Sequence, residues 1–273
     1  GYICIGTRQG GLNRFDPRSG LFAVFKHDPA DDNSLSNNRV NALFMDKNNT
    51  LWVGTDSDLD RLDTAGKTFI HYLGDEDGLE NPITALFQDS TSLLWIGVRD
   101  NGLYQLDENT NSIKAFTTSD NINSLSDNNV TSIIEDFDGN LWVATQNGLN
   151  RFKPNTQSFA RYFNNPEDPE SISNDALKHL FIDHNGVLWI AANNGLDIYN
   201  AQLNQFIHYR HEPANPETDQ HREPRGEVVR VDECRREPPA EARRTVPGAV
   251  PDDVRMRPPT AAERTPMPAA PRP

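Results

Sequence analysis

All four tryptophans of the chain follow a leucine, at Leu51-Trp52, Leu94-Trp95, Leu141-Trp142 and Leu188-Trp189, and they are 43, 47 and 47 residues apart. A fainter copy at residues 3–7 (ICIGT) lies 48 residues before Trp52, with Cys4 in the tryptophan place. A period in the forties, containing small-residue turns and short apolar runs, marks a repeat architecture in which each unit completes its core against the next.

The unit from Val130 to Phe163 shows the internal pattern. A β-branched run at 130–135 (VTSIIE) is closed by Asp138-Gly139 and followed by 141–145 (LWVAT). Asn147-Gly148 then leads into 149–152 (LNRF), and a polar turn at 153–156 (KPNT) leads into 158–163 (SFARYF). Four short runs separated by turn residues predict a four-stranded antiparallel meander. Asn-Gly suits the centre of a type I′ hairpin, where both central residues take positive φ. Gly10-Gly11, Asn101-Gly102 and Asn194-Gly195 repeat it. In the second unit Ser57-Asp58 fills the place, so Asp58 is expected to be left-handed, a conformation Asp tolerates better than most residues. The strand around each tryptophan is apolar on both sides, which predicts a strand sandwiched between sheets with Trp covering the neighbour. A helical repeat is excluded because no window carries 3.6-residue apolar spacing and Gly, Asn and Asp interrupt every ten residues or so.

The expected fold is all-β, a β-propeller of four-stranded antiparallel blades. The chain opens inside a blade, at its second strand, and four full blades follow to about residue 210, giving about 19 strands or about 4.75 blades of an incomplete propeller. Such an unclosed arc leaves two sheet edges and two apolar faces unpaired.

Domain organisation follows from composition. Residues 1–210 carry the repeats as a partial propeller. Residues 211–273 contain no Phe, Trp, Tyr, Leu, Ile or Lys, yet hold 11 Arg and 13 of the 19 Pro. That Pro/Arg/Glu-rich segment is expected to be disordered, because it cannot bury enough apolar surface to offset its ordering entropy. It reads either as a genuine tail or as an out-of-frame product. The second reading rests on residues 211–216 (HEPANP), which begin like the loop at 27–32 (HDPADD) without the Asn-Ser-Leu-Ser that follows there.

The net charge is −14, and before residue 211 there are 15 basic and 28 acidic residues. That balance argues against binding nucleic acid or an anionic membrane, both of which need a basic footprint. Two cysteines, Cys4 and Cys234, are too few for a disulfide framework. No stretch of about 18 apolar residues is present, so no membrane contact is expected from this stretch of chain.

The repeats resemble the two-component regulator propeller family. The resemblance rests on residues 50–55 (TLWVGT), 11–16 (GLNRFD), 69–72 (FIHY) and 33–36 (NSLS), with the last returning as Ser124-Leu125-Ser126 and Ser171-Ile172-Ser173. It covers residues 1–210. It implies a seven-bladed propeller serving as the periplasmic, extracytoplasmic sensor of a hybrid two-component histidine kinase or a diguanylate cyclase, in a dimeric receptor. Its ligand would be a small molecule, such as a carbohydrate breakdown product, or a protein. No kinase or receiver pattern is legible in the 273 residues. A passive interaction scaffold is the alternative, and a propeller lyase or glycosidase a further one.

An antiparallel meander brings the turns between second and third strands to the same face as the loops joining blades. Arg8, Asp56, Asp58, Arg99, Asn101, Gln146 and Asn193 fall in those turns and are the candidate ligand-binding residues, because equivalent positions that differ in chemistry suit a specific site. Read otherwise, they are solvated turn residues. The loop at 75–82 is shortened, which accounts for the 43-residue interval. The segment 136–140 (DFDGN) superficially resembles a calcium loop but lacks the late bidentate Glu, so turn chemistry explains it. His71 and His208 share an outer-strand register in different blades, and His179 and His184 fall on opposite faces. Neither a metal nor a cofactor is expected. No Ser stands in a nucleophile elbow, and no carboxylate pair stands out among so many acids, so this stretch is expected to be non-catalytic.

Overall fold

Each run anticipated above forms a strand, and consecutive strands pair antiparallel. The computed structural model describes residues 1–63, 65–72 and 81–209. The first blade has three strands, β1 (Ile3–Gly6), β2 (Leu12–Asp16) and β3 (Leu21–Phe25). The second comprises β4 (Val40–Met45), β5 (Leu51–Thr55), β6 (Leu59–Leu62) and β7 (Phe69–His71), and the third β8 (Ile83–Gln88), β9 (Leu94–Val98), β10 (Gly102–Asp107) and β11 (Ser112–Phe116). The fourth comprises β12 (Val130–Glu135), β13 (Leu141–Thr145), β14 (Gly148–Lys153) and β15 (Ser158–Tyr162), and the fifth β16 (Leu177–Ile182), β17 (Leu188–Ala192), β18 (Gly195–Asn200) and β19 (Gln205–Tyr209). Strand order within each sheet follows the chain. These are β-propeller blades. Among the described residues no helix is long and apolar enough to cross a membrane. The shortened loop falls mostly on residues 73–80, and the segment 211–273 wholly, outside the described residues.

Blades meet through their first strands, with β4 against β8, β8 against β12 and β12 against β16. The tryptophan strands β5, β9 and β13 are buried along their whole length. Trp52 packs with Ile83, Leu94 and Ile96 of the third blade. Trp95 packs with Val130, Val143 and Phe152 of the fourth, and Trp142 with Leu177, Ile190 and Tyr199 of the fifth. The Trp142 and Tyr199 rings meet edge-on at 4.8 Å. The small residue two places after each tryptophan serves the same contact. A Cβ on Gly54 would lie 2.5 Å from the Ile83 side chain and one on Gly97 2.8 Å from Val130.

At the two ends the same positions are uncovered. Ile5 and Phe22 are exposed in the first blade, whereas their counterparts Val53 and Phe69 are buried. In the fifth blade Leu196 is exposed where Leu59, Leu103 and Leu149 are fully buried. Trp189 is only half-buried.

The turns correct two expectations. Thr145 pairs with Gly148, which makes Gln146 and Asn147 the central residues. Of these three only Gly148 has positive φ, at 109°. Asn-Gly therefore closes the turn from one position later than a type I′ hairpin requires. Asp58 likewise is not left-handed. Its backbone N–H is held by Thr55 Oγ1 at 3.0 Å, and its carboxylate accepts the Leu59 N–H at 2.6 Å, so side chains supply what glycine's conformation supplies elsewhere.

Candidate functional site

The turns between second and third strands are tied to the loops joining blades. Gly11 N–H donates to the Asn38 carbonyl, Gly102 N–H to Asn128 and Gly148 N–H to Asp175. The Ser-Leu-Ser loops dock on the blade that follows them. Their central residues Leu35, Leu125 and Ile172 are completely buried. The last serine enters a polar network. Ser36 donates its N–H and Oγ to Asp60 Oδ2, at 3.0 and 2.8 Å, and its Oγ lies 2.7 Å from Thr55 Oγ1. Ser126 donates its N–H to Asn150 Oδ1 at 2.9 Å, its Oγ accepts from Asn150 Nδ2 at 2.8 Å and lies 3.0 Å from Thr145 Oγ1, and Ser173 N–H donates to Asp197 at 2.8 Å. The loop carbonyls of Asn33, Asn123 and Glu170 accept the N–H of Phe69, Phe159 and Phe206, which covers the start of each outer strand edge.

A basic side chain on the outer strand completes this docking. His71 faces Asp60 Oδ1 through Nδ1 at 2.6 Å and the Asp32 carbonyl through Nε2 at 2.9 Å. His208 faces Asp197 Oδ1 at 2.7 Å and the Pro169 carbonyl at 2.9 Å. In the fourth blade Arg161 stands there, donating to the carbonyls of Ser124 and Asn121, each at 2.6 Å, and to Ser124 Oγ. Tyr104 and Ala115 occupy the paired positions in the third blade. The hydrogen bond to Asp60 is the largest influence on His71. It outweighs the opposing effect of burial and raises the imidazole to about 9, with the Asp60 and Asp58 charges adding to it. Asp58, Asp60 and His71 each bring one ligand-type atom within 4.8 Å of the others. Both ring nitrogens of His71 nevertheless point at acceptors, so the ring donates on both sides and offers no lone pair to an ion.

The seven candidates stand as follows. Arg8, Arg99, Gln146 and Asn193 are exposed, one to a turn, and Asn101 is half-buried. Asp56 is half-buried, pairs with Arg39 at 3.3 Å and accepts from Asn41 Nδ2 at 2.9 Å. Asp58 turns inward and is buried. The structure thus brings Arg39 and Asn41 to the face beside Asp56, and adds Asn37, which donates to Ser57 Oγ at 2.9 Å. These three follow the Ser-Leu-Ser loop, and a reading confined to turns passes over them. The Asp–His pairs carried a legible signal, since both members are separated by 11 residues in the second and fifth blades. The calcium-like segment is a turn. Asp136 accepts the N–H of Asp138 and Asn140 and the indole N–H of Trp142.

The family pattern described as two component regulator propeller matches residues 34–57 and 124–147. No curated protein sequence matches the chain. Among solved structures, the chain is similar to the extracellular domain of a protein assigned to a hybrid two component system of B. thetaiotaomicron, at 27% identity and a TM-score of 0.63, covering 77% of this chain and 27% of that one. A second B. thetaiotaomicron extracellular domain, assigned to a one component system, has 24% identity and a TM-score of 0.62, covering 72% of this chain and 25% of that one. The chain spans about a quarter of the length of these two domains. Virginiamycin B lyase from Staphylococcus aureus shares the fold at 14% identity and a TM-score of 0.57, covering 78% of this chain and 67% of the lyase.

Proposed function

We propose that residues 1–209 form part of the ligand-sensing propeller of an extracytoplasmic signalling receptor with two-component or cyclic-di-GMP output. In this reading the face built by the turns and inter-blade loops receives a small polar ligand of the carbohydrate class. One observation carries it. Positions that hold the blades together recur, as Trp with Asp in the second to fifth blades and as Ser with Asp or Asn in the second, fourth and fifth. At the turn position of that face the blades instead present Arg8, Asp56, Arg99, Gln146 and Asn193. Scaffold positions are alike and face positions differ, as expected where one surface reads an asymmetric ligand. The likeness to an extracellular receptor domain supports the location and the signalling role. The lyase likeness is one of fold and lends no support to catalysis.

The test is a glycan array probed with the labelled 273-residue chain, followed by calorimetry on any glycan that binds. Binding should weaken on Arg99→Ala or Asp56→Ala and persist on Asn48→Ala, in the turn between β4 and β5 at the opposite face. Absence of any bound glycan would remove the carbohydrate class. Binding that ignores both face substitutions would remove the face itself.

A further inference from the structure

The docking of the loop ahead of the second blade has a feature the candidate face does not use. Asp60, completely buried, grips that loop at two places. It accepts directly from Ser36 at one end, and through His71 it reaches the carbonyl of Asp32 at the other. The His71 ring lies between a carboxylate oxygen and a peptide carbonyl, neither of which can donate. Only the imidazolium satisfies both contacts. The groups facing the ring are the Asp60 carboxylate from β6, the Asp58 carboxylate from the turn between β5 and β6, and the Asp32 carbonyl from the loop.

We propose that His71 is a proton-operated latch holding the loop at residues 28–36 onto the second blade. When the ring loses its proton, one nitrogen presents a lone pair to an acceptor, and either the Asp32 or the Asp60 contact becomes repulsive. The Ser36 end of the loop stays bound to Asp60 while the Asp32 end is released. Asn37, Arg39 and Asn41, which hold Ser57 and Asp56, lie beyond the anchored Ser36, so the release is confined to the stretch of the loop before it. The protein contains its own control. Arg161 stands at the His71 position in the fourth blade and holds its loop through the carbonyls of Asn121 and Ser124, and a guanidinium does not titrate in the accessible range. The loop at residues 118–126 is therefore held independently of pH. Nothing in the latch depends on what the face binds.

Hydrogen exchange of the full chain, followed by mass spectrometry and divided by intrinsic rates, tests this between about pH 7 and about pH 10. Protection at residues 28–36 should fall by about tenfold across that range while protection at 118–126 stays level. H71R should hold the first loop at both ends of the range, and H71Q should leave it weakly protected throughout. A parallel fall in both loops, or wild-type behaviour in H71Q, overturns the latch. Should a variant fail to fold, the His71 Cε1–H resonance of the wild-type protein decides independently. A midpoint at the ordinary imidazole value contradicts the latch, and a midpoint raised well above it supports the latch.

Discussion

The indole N–H of Trp142 donates to the Asp136 carboxylate at 2.8 Å, so the residue that shapes the first hairpin also satisfies the one polar atom of the ring that covers the next blade. Trp52 with Asp46, Trp95 with Asp89 and Trp189 with Asp183 repeat the arrangement at 3.2, 2.7 and 3.1 Å. Each aspartate lies six residues before its tryptophan and accepts backbone N–H groups of its own turn through the other oxygen. A buried indole keeps its donor paired, and the turn keeps its shape, through one carboxylate.

Asp136→Ala should therefore cost about 1–3 kcal/mol, because it leaves an indole N–H and turn amides without their acceptor. Trp142→Phe combined with it should cost less than the sum of the two, since the pair shares one interaction. Urea unfolding of the two single variants and the double variant checks this, and strict additivity would count against the shared role.

Gly54→Ala places a methyl 2.5 Å from Ile83 of the third blade and should destabilise by about 1–3 kcal/mol. Ile83→Ala in that background should recover part of the loss although it removes core volume. The fourth blade already carries Ala144 at this position, where the neighbouring strand accepts the methyl. Thermal unfolding of the single and double variants reads the rescue.

Two aspartates of one turn should behave differently. Asp58 is buried and caps the Leu59 N–H, so Asp58→Ala should cost about 1–3 kcal/mol. Asp56 is paired with Arg39 near the surface, and Asp56→Ala should stay within about 1 kcal/mol. Asp56→Ala is consequently the variant that probes ligand binding without disturbing the fold, and denaturant midpoints for the pair establish that.

His71 sets a pH window for stability. Its folded value of about 9 lies above the ordinary 6.5, so its contribution is fully present below about pH 6.5 and is lost as pH rises through about 9. The urea midpoint of the wild-type protein should exceed that of His71→Gln at about pH 6 and approach it above about pH 9. A constant gap across the range would show that the ring acts by packing and not by charge.

The strand positions were legible because Trp, β-branched runs and Gly or Asn turns repeat in phase, and the blade stacking because apolar residues flank Trp52 and Trp142 on both sides. Other features lay beyond such a reading. The Ser36–Asp60 contact spans 24 residues and crosses from a loop to a third strand, so neither residue marks the other in a linear pattern. Gly148 was legible as a turn glycine, but its place in the turn is set by the Thr145 pairing, which only the register reveals. His71 and His208 share a register that repeats visibly. Their partners are the buried Asp60 and Asp197, and Arg161 takes the same register with a different side chain. For the face itself, sequence placed Arg8, Asp56, Arg99, Gln146 and Asn193 in turns. It could not show that Asp58 turns inward, because that depends on Thr55 and Leu59 closing around it.

The proposed binding face exists only if each blade is completed by the next, since stacking is what brings the turns to one side. Acrylamide quenching of single-tryptophan variants measures this directly, with the other three tryptophans replaced by Phe. Trp52, Trp95 and Trp142 should be blue-shifted and shielded, because their rings lie against the following blade, and Trp189 should be measurably more accessible. Equal quenching of Trp142 and Trp189 would contradict blade-on-blade stacking and, with it, the shared face.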